Sequence, residues 1–77
     1  MHKDSYRIIF EGHFDNAVTD SLVLVKARKP QQKFYMSYMA ISLLANEINT
    51  AYTMDIISFE ESRFLKRAIC AIFSDEG

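Results

Sequence analysis

Apolar and polar side chains alternate along residues 6–14. Tyr6, Ile8 and Phe10 fall on one side of an extended backbone, and Arg7 falls on the other. Because a period of two is typical of a strand with one buried face, the pattern predicts a half-buried β-strand.

Turn-forming residues separate this strand from a second apolar run. Gly12 indicates a bulge within the strand, and the side chains of Asp15–Asn16 can bond their own backbone in a turn. The run Leu22–Val25 alternates leucine with β-branched valine and predicts a second strand. A connection of about six residues would make the two strands an antiparallel hairpin.

A helix is predicted after Pro30, which suits the first helical position and disfavours helical dihedrals at Lys29. Nothing from Gln31 to about Asn49 breaks a helix. Apolar residues recur there every three or four positions and form an arc that we expect to lie on the sheet: Phe34, Tyr38, Ile41, Leu44, Ala45 and Ile48.

The remainder of the chain predicts one more helix. Residues 52–57 fit either a short third strand or an ordered connector, and Ser58 with Glu61 forms a capping box. The buried arc of the last helix is then Phe64, Leu65, Ala68, Ile69, Ile72 and Phe73. We therefore predict a single α+β domain over residues 1–77, in which two helices pack on a small antiparallel sheet in the order β-β-α-(β)-α.

Composition limits the classes of function. The 77 residues are 49% hydrophobic with a net charge of -1, so the chain is too apolar for a disordered protein and lacks the basic excess of a general nucleic-acid binder. A single cysteine excludes a disulfide framework. No segment resembles a signal peptide or a membrane span, so we expect a cytoplasmic protein without membrane contact.

The candidate catalytic residues are isolated from one another. Cys70 has no histidine near it in the sequence, and His13 with Asp15 is an incomplete set of metal ligands. Glu60 and Glu61 point about 100° apart on a helix and cannot share a proton. We expect no enzymatic activity, no cofactor and no metal site.

A second apolar stripe lies on the helix after Pro30, roughly opposite its predicted core arc. It comprises Tyr35, Met36, Met39 and Leu43. Either the C-terminal helix covers this stripe, or a partner protein does, and that partner can be a second copy in a homodimer. Methionine and tyrosine favour a partner, because both provide large and adaptable contact surfaces.

Four cations cluster at the predicted strand–helix corner: Lys26, Arg28, Lys29 and Lys33. They fit a solvated strand edge, an electrostatic rim for an acidic protein, or a set of phosphate contacts. The leading hypothesis is a non-enzymatic protein-binding module that occludes another protein's surface, such as an inhibitor or accessory factor encoded by a phage or another mobile element. The alternative is a nucleic-acid-associated regulator that contacts phosphate through this corner.

Overall fold

The protein is a bundle of three helices. The computed structural model describes residues 3–74, in which α1 spans Lys3–Lys26, α2 spans Pro30–Thr53 and α3 spans Phe59–Phe73. Residues 3–74 contain no β-strand. The predicted α+β architecture is therefore wrong, and both strands of the predicted hairpin belong to α1.

A helical stripe runs through the whole of α1. Phe14 is buried, and the other apolar residues on its side of the helix pack against the same core. These positions recur every three or four residues, which is the period of an α-helix: Phe10, Phe14, Ala17, Val18, Leu22 and Val25. The stripe continues through Gly12 and Asp15–Asn16, where turn-forming residues predict a break.

The exposed side of α1 explains why its sequence imitates strands. Ile8, Ile9, Val23 and Leu24 all face solvent. These exposed apolar residues hide the difference between the apolar and the polar side of α1. A stretch of a few residues then shows strand-like alternation or an apolar run in place of the helical period. The β-branched residues add a weak strand preference, which packing of the long stripe against α2 overrides.

Helix α2 begins as predicted and extends beyond its predicted end. Pro30 is in the first turn, after Lys29 in an extended conformation. At the other end Asp55 adopts a positive φ of 62°, while the Ile56 N–H donates to the Ala51 carbonyl at 2.8 Å and the Asp55 N–H to the Tyr52 carbonyl at 3.0 Å. These two bonds form a Schellman motif. Residues 54–57 are consequently a helix-terminating turn and not a third strand.

The capping box at the start of α3 is confirmed. The Ser58 hydroxyl accepts from the Glu61 N–H at 3.1 Å, and the Glu61 carboxylate accepts from the Ser58 N–H at 2.9 Å. Ser62, in the first turn, is buried, and its hydroxyl donates to the Phe59 carbonyl at 2.7 Å. The local sequence therefore determines where α3 begins.

The core forms around α2, on which both other helices pack. The buried apolar residues are Phe14, Ala40, Leu44, Ile48, Ala51, Ile57, Ile69 and Phe73. The predicted core arcs are thus right at Leu44, Ile48, Ile69 and Phe73. They are wrong at four positions that are exposed, because residues 3–74 form no sheet that could cover them: Phe34, Tyr38, Phe64 and Ile72.

One charged pair joins α1 to α3. The Arg7 guanidinium donates to both carboxylate oxygens of Glu61, with 3.1 Å from Nη1 to Oε1, and its Nε donates to Glu11 at 3.2 Å. Both partners of the inter-helix pair are partly exposed, so its contribution to stability is about 1 kcal/mol or less. It bridges two helices that otherwise make few contacts with each other.

Replacing Gly12 with alanine is expected to stabilise the protein by about 1 kcal/mol, because glycine inside a helix carries an entropic cost that alanine lacks. An added Cβ would meet nothing within 4 Å, and φ at this residue is not positive. Urea denaturation followed by circular dichroism measures the change. Ala71→Gly on the exposed side of α3 is the matched reverse substitution and should lower stability by a similar amount. A loss of stability in Gly12→Ala would contradict an uncrowded glycine inside a helix.

Candidate functional site

The second stripe on α2 lies on the surface of the protein. Tyr35 is 62% exposed, Met39 is 41% exposed and Leu43 is 61% exposed, whereas Met36 is half-buried. We call these four residues the α2 outer face. Large apolar side chains so exposed on one side of one helix are typical of an interaction surface.

Helix α3 lies on the other flank of α2. The ring centroids of Tyr52 and Phe59 are 5.9 Å apart there, and Phe73 borders the same hollow as Tyr38. On α2, Tyr38 and Tyr52 point to the side of the core stripe opposite to Leu43. The alternative in which the C-terminal helix covers the stripe is therefore wrong for the helix that the structure describes.

Helix α1 extends the α2 outer face with a further apolar residue. His13 Nε2 lies 3.7 Å from Glu47 Oε1, which fixes the register of the antiparallel α1 and α2. Leu24 follows His13 by about three turns, so it is on the same side of α1 and level with Met36. Leu24 is exposed. The sequence pattern predicts a strand at Leu24. Only its spacing of eleven residues from His13 on a helix shows that both residues lie on the same side of α1.

Glu47 is the polar boundary of this surface. Its Oε1 atom is buried and has no hydrogen-bond partner within residues 3–74, since His13 at 3.7 Å is beyond hydrogen-bonding distance. The pair is ionic only while the imidazole is protonated. His13 on α1 therefore lies beside the carboxylate of Glu47 on α2, a neighbour that the sequence pattern does not predict.

The basic residues remain together, at the turn between α1 and α2. Lys26, Arg28, Lys29 and Lys33 are all exposed. Lys29 is the N-cap of α2 but provides no side-chain cap, and the first turn has no acidic residue. Lys26 ends α1, where a cation interacts favourably with the helix dipole, whereas Lys33 lies near the positive end of α2.

The other chemical candidates stay dispersed. Cys70 is exposed, and His13 and Asp15 are exposed on α1. No group of three or more histidine, cysteine or acidic residues between Lys3 and Ser74 is arranged to hold a metal ion. Within the same stretch, no helix combines the length and the hydropathy needed to cross a membrane.

Comparison of the chain with models of protein families, with curated proteins and with solved structures finds no match.

Leu43 and Leu44 provide a test of which side of α2 is core. Leu44 is 1% exposed, so Leu44→Ala should lower the free energy of unfolding by about 2–5 kcal/mol, whereas Leu43→Ala on the α2 outer face should change it by less than about 0.5 kcal/mol. Urea denaturation of the two variants gives both values. Equal losses would show that Leu43 is packed in solution and would remove the α2 outer face as a free surface.

Proposed function

We propose that this protein is a non-enzymatic protein-binding module whose α2 outer face occludes the surface of a partner. The observation that carries the proposal is the exposure of Tyr35, Met39 and Leu43 on the flank of α2 that α3 does not cover. Such a surface loses solvent-exposed apolar area when a partner binds, which is the main favourable term in protein association.

The composition of the α2 outer face supports binding to a protein. Methionine and tyrosine adapt to the shape of a partner and contribute a large contact area for each side chain. Leu24 widens the apolar surface onto α1, and the pair of His13 and Glu47 borders it with polar groups. An apolar centre with a polar rim is the usual anatomy of a protein interface.

Met39→Glu combined with Leu43→Glu should weaken partner binding by at least about a hundredfold, because it places two charges in the centre of the interface. The tagged variants are used to capture proteins from the native host, and light scattering after size exclusion measures self-association. Both positions are exposed, so the variant should retain the helical circular dichroism of the wild type.

Ala71→Glu on the exposed surface of α3 is the matched control, since it adds a carboxylate far from the α2 outer face. A partner or dimer lost in the double variant and retained by Ala71→Glu supports the proposal. Identical captured proteins and identical mass for both variants, with the fold intact, would contradict it.

The alternative function, contact with nucleic-acid phosphate, has one observation in its favour. The N-terminus of α2 has no side-chain cap and no acid in its first turn, and the four cations at the α1–α2 turn are exposed around it. The positive end of the helix dipole and the surrounding cations favour a phosphate group.

This alternative predicts retention of a DNA or RNA probe in a gel shift at low salt, with affinity that falls steeply as salt rises. Lys29→Gln with Lys33→Gln should reduce retention, whereas Lys66→Gln with Arg67→Gln on α3 removes the same charge elsewhere and should not. Absence of retention at low salt, or an equal effect of both pairs, would exclude the basic turn as a phosphate site.

A further inference from the structure

The seam between α1 and α3 is open. Short turns make both helices antiparallel to α2, so they run in the same direction on it, yet they make few contacts with each other. The charged pair of Arg7 and Glu61 bridges the seam near the N-terminal ends. Two hollows lie along the seam, one at each end.

The larger hollow lies at the C-terminal ends of α1 and α3 and has a volume of about 630 Å³. It is open to solvent and is therefore a surface feature rather than a packing defect. Phe34, at its edge, is 82% exposed. Its apolar walls come from all three helices: Leu22, Val25, Phe34, Tyr38, Ile72 and Phe73.

Two unpaired cations border the larger hollow. Lys26 and Lys33 both line it, and neither has a hydrogen bond or an ion pair with any other residue in 3–74. Among residues 3–74, no acidic side chain lines it. Carboxylates on an occupant would complement the positive charge of this rim.

The smaller hollow lies toward the N-terminal ends and has a volume of about 300 Å³. Phe14 and Leu65 form its apolar edge nearest the larger hollow, and charged residues line much of the remainder: Arg7, Glu11, Asp15 and Glu61. Phe14 precedes Leu22 by eight residues and Leu65 precedes Phe73 by eight, so the apolar side chains at the facing edges of the two hollows are about 12 Å apart along both α1 and α3. Apolar side chains about eight residues apart on one face of a helix match this spacing.

The walls of the seam favour a helix over an extended peptide. An extended peptide binds through backbone hydrogen bonds to a free strand edge, and no strand exists in the described part of the chain. The seam instead presents ridges of side chains from α1 and α3, which run in the same direction. A helix from a partner can pack its apolar ridge between them.

We infer that the α1–α3 seam binds an amphipathic helix of a partner protein, with apolar residues at i, i+4 and i+8 and acidic residues beside those that enter the larger hollow. This surface is separate from the α2 outer face, because it lies on the opposite flank of α2. The inference therefore stands whether or not the proposed function holds.

The test uses fluorescent helical peptides of about four turns with leucine at i, i+4 and i+8. One peptide carries glutamate beside the leucines at one end, and the second carries lysine at the same positions. Fluorescence anisotropy should show that the wild-type protein binds the glutamate peptide about tenfold more tightly, because two exposed ion pairs are replaced by two repulsions. Lys26→Glu with Lys33→Glu should reverse the preference.

Two single variants locate the binding surface. Phe34→Glu should weaken binding of the glutamate peptide by about tenfold or more, whereas Leu43→Glu on the α2 outer face should leave it unchanged. Phe34→Ser replaces the first variant if circular dichroism shows that Phe34→Glu loses helix. No binding to the wild type, equal binding of both peptides, or sensitivity to Leu43→Glu in place of Phe34→Glu would each overturn the inference. Binding that depends on the two lysines but not on Phe34 would also overturn it, since it would show charge attraction without use of the hollow.

Discussion

Packing against one side of α2 is the interaction on which the rest of this structure depends. Leu44, Ile48 and Ala51 are buried along that side, and Phe14 of α1 and Ile69 of α3 belong to the same cluster. The backbones of α1 and α3 approach each other closely at few points, so each of these helices packs mainly on α2. Removal of buried volume from α2 would therefore loosen both at once.

A central helix with two neighbours leaves two kinds of surface unfilled. The α2 outer face is the flank that neither neighbour covers, and the α1–α3 seam is the space between the neighbours. A chain of this length buries only about 60% of the area that it exposes when unfolded, so some apolar surface is expected. Part of it lies together on these two surfaces, and the rest is spread over the bundle, as at Ile8 and Val23 on α1 and at Phe59 on α3.

Structure that is specified locally can be predicted from this sequence, and structure that depends on a distant partner cannot. Pro30 and the capping box of Ser58 and Glu61 are confirmed because each acts within a few residues. The helical structure of α1 cannot be predicted from short windows, because a helix with exposed Ile8 and Val23 shows its period only over its full length and tolerates Gly12 without a turn. The exposure of Leu43 beside buried Leu44 follows from the angle between them on a helix, whereas the position of α3 depends on packing that no short window contains.

The two surfaces differ in what an occupant would do to the fold. A ligand that binds only the folded state adds to the free energy of unfolding in proportion to the logarithm of its concentration over its dissociation constant. A helix in the seam would contact α1 and α3 together, in addition to the direct link that Arg7 and Glu61 make near the N-terminal ends. It would therefore oppose separation of α3 from the bundle as well as global unfolding. An occupant of the α2 outer face would contact α2 and Leu24 of α1, so it would stabilise the packing of α1 on α2. The packing of α3 on α2 would still depend on the buried core alone.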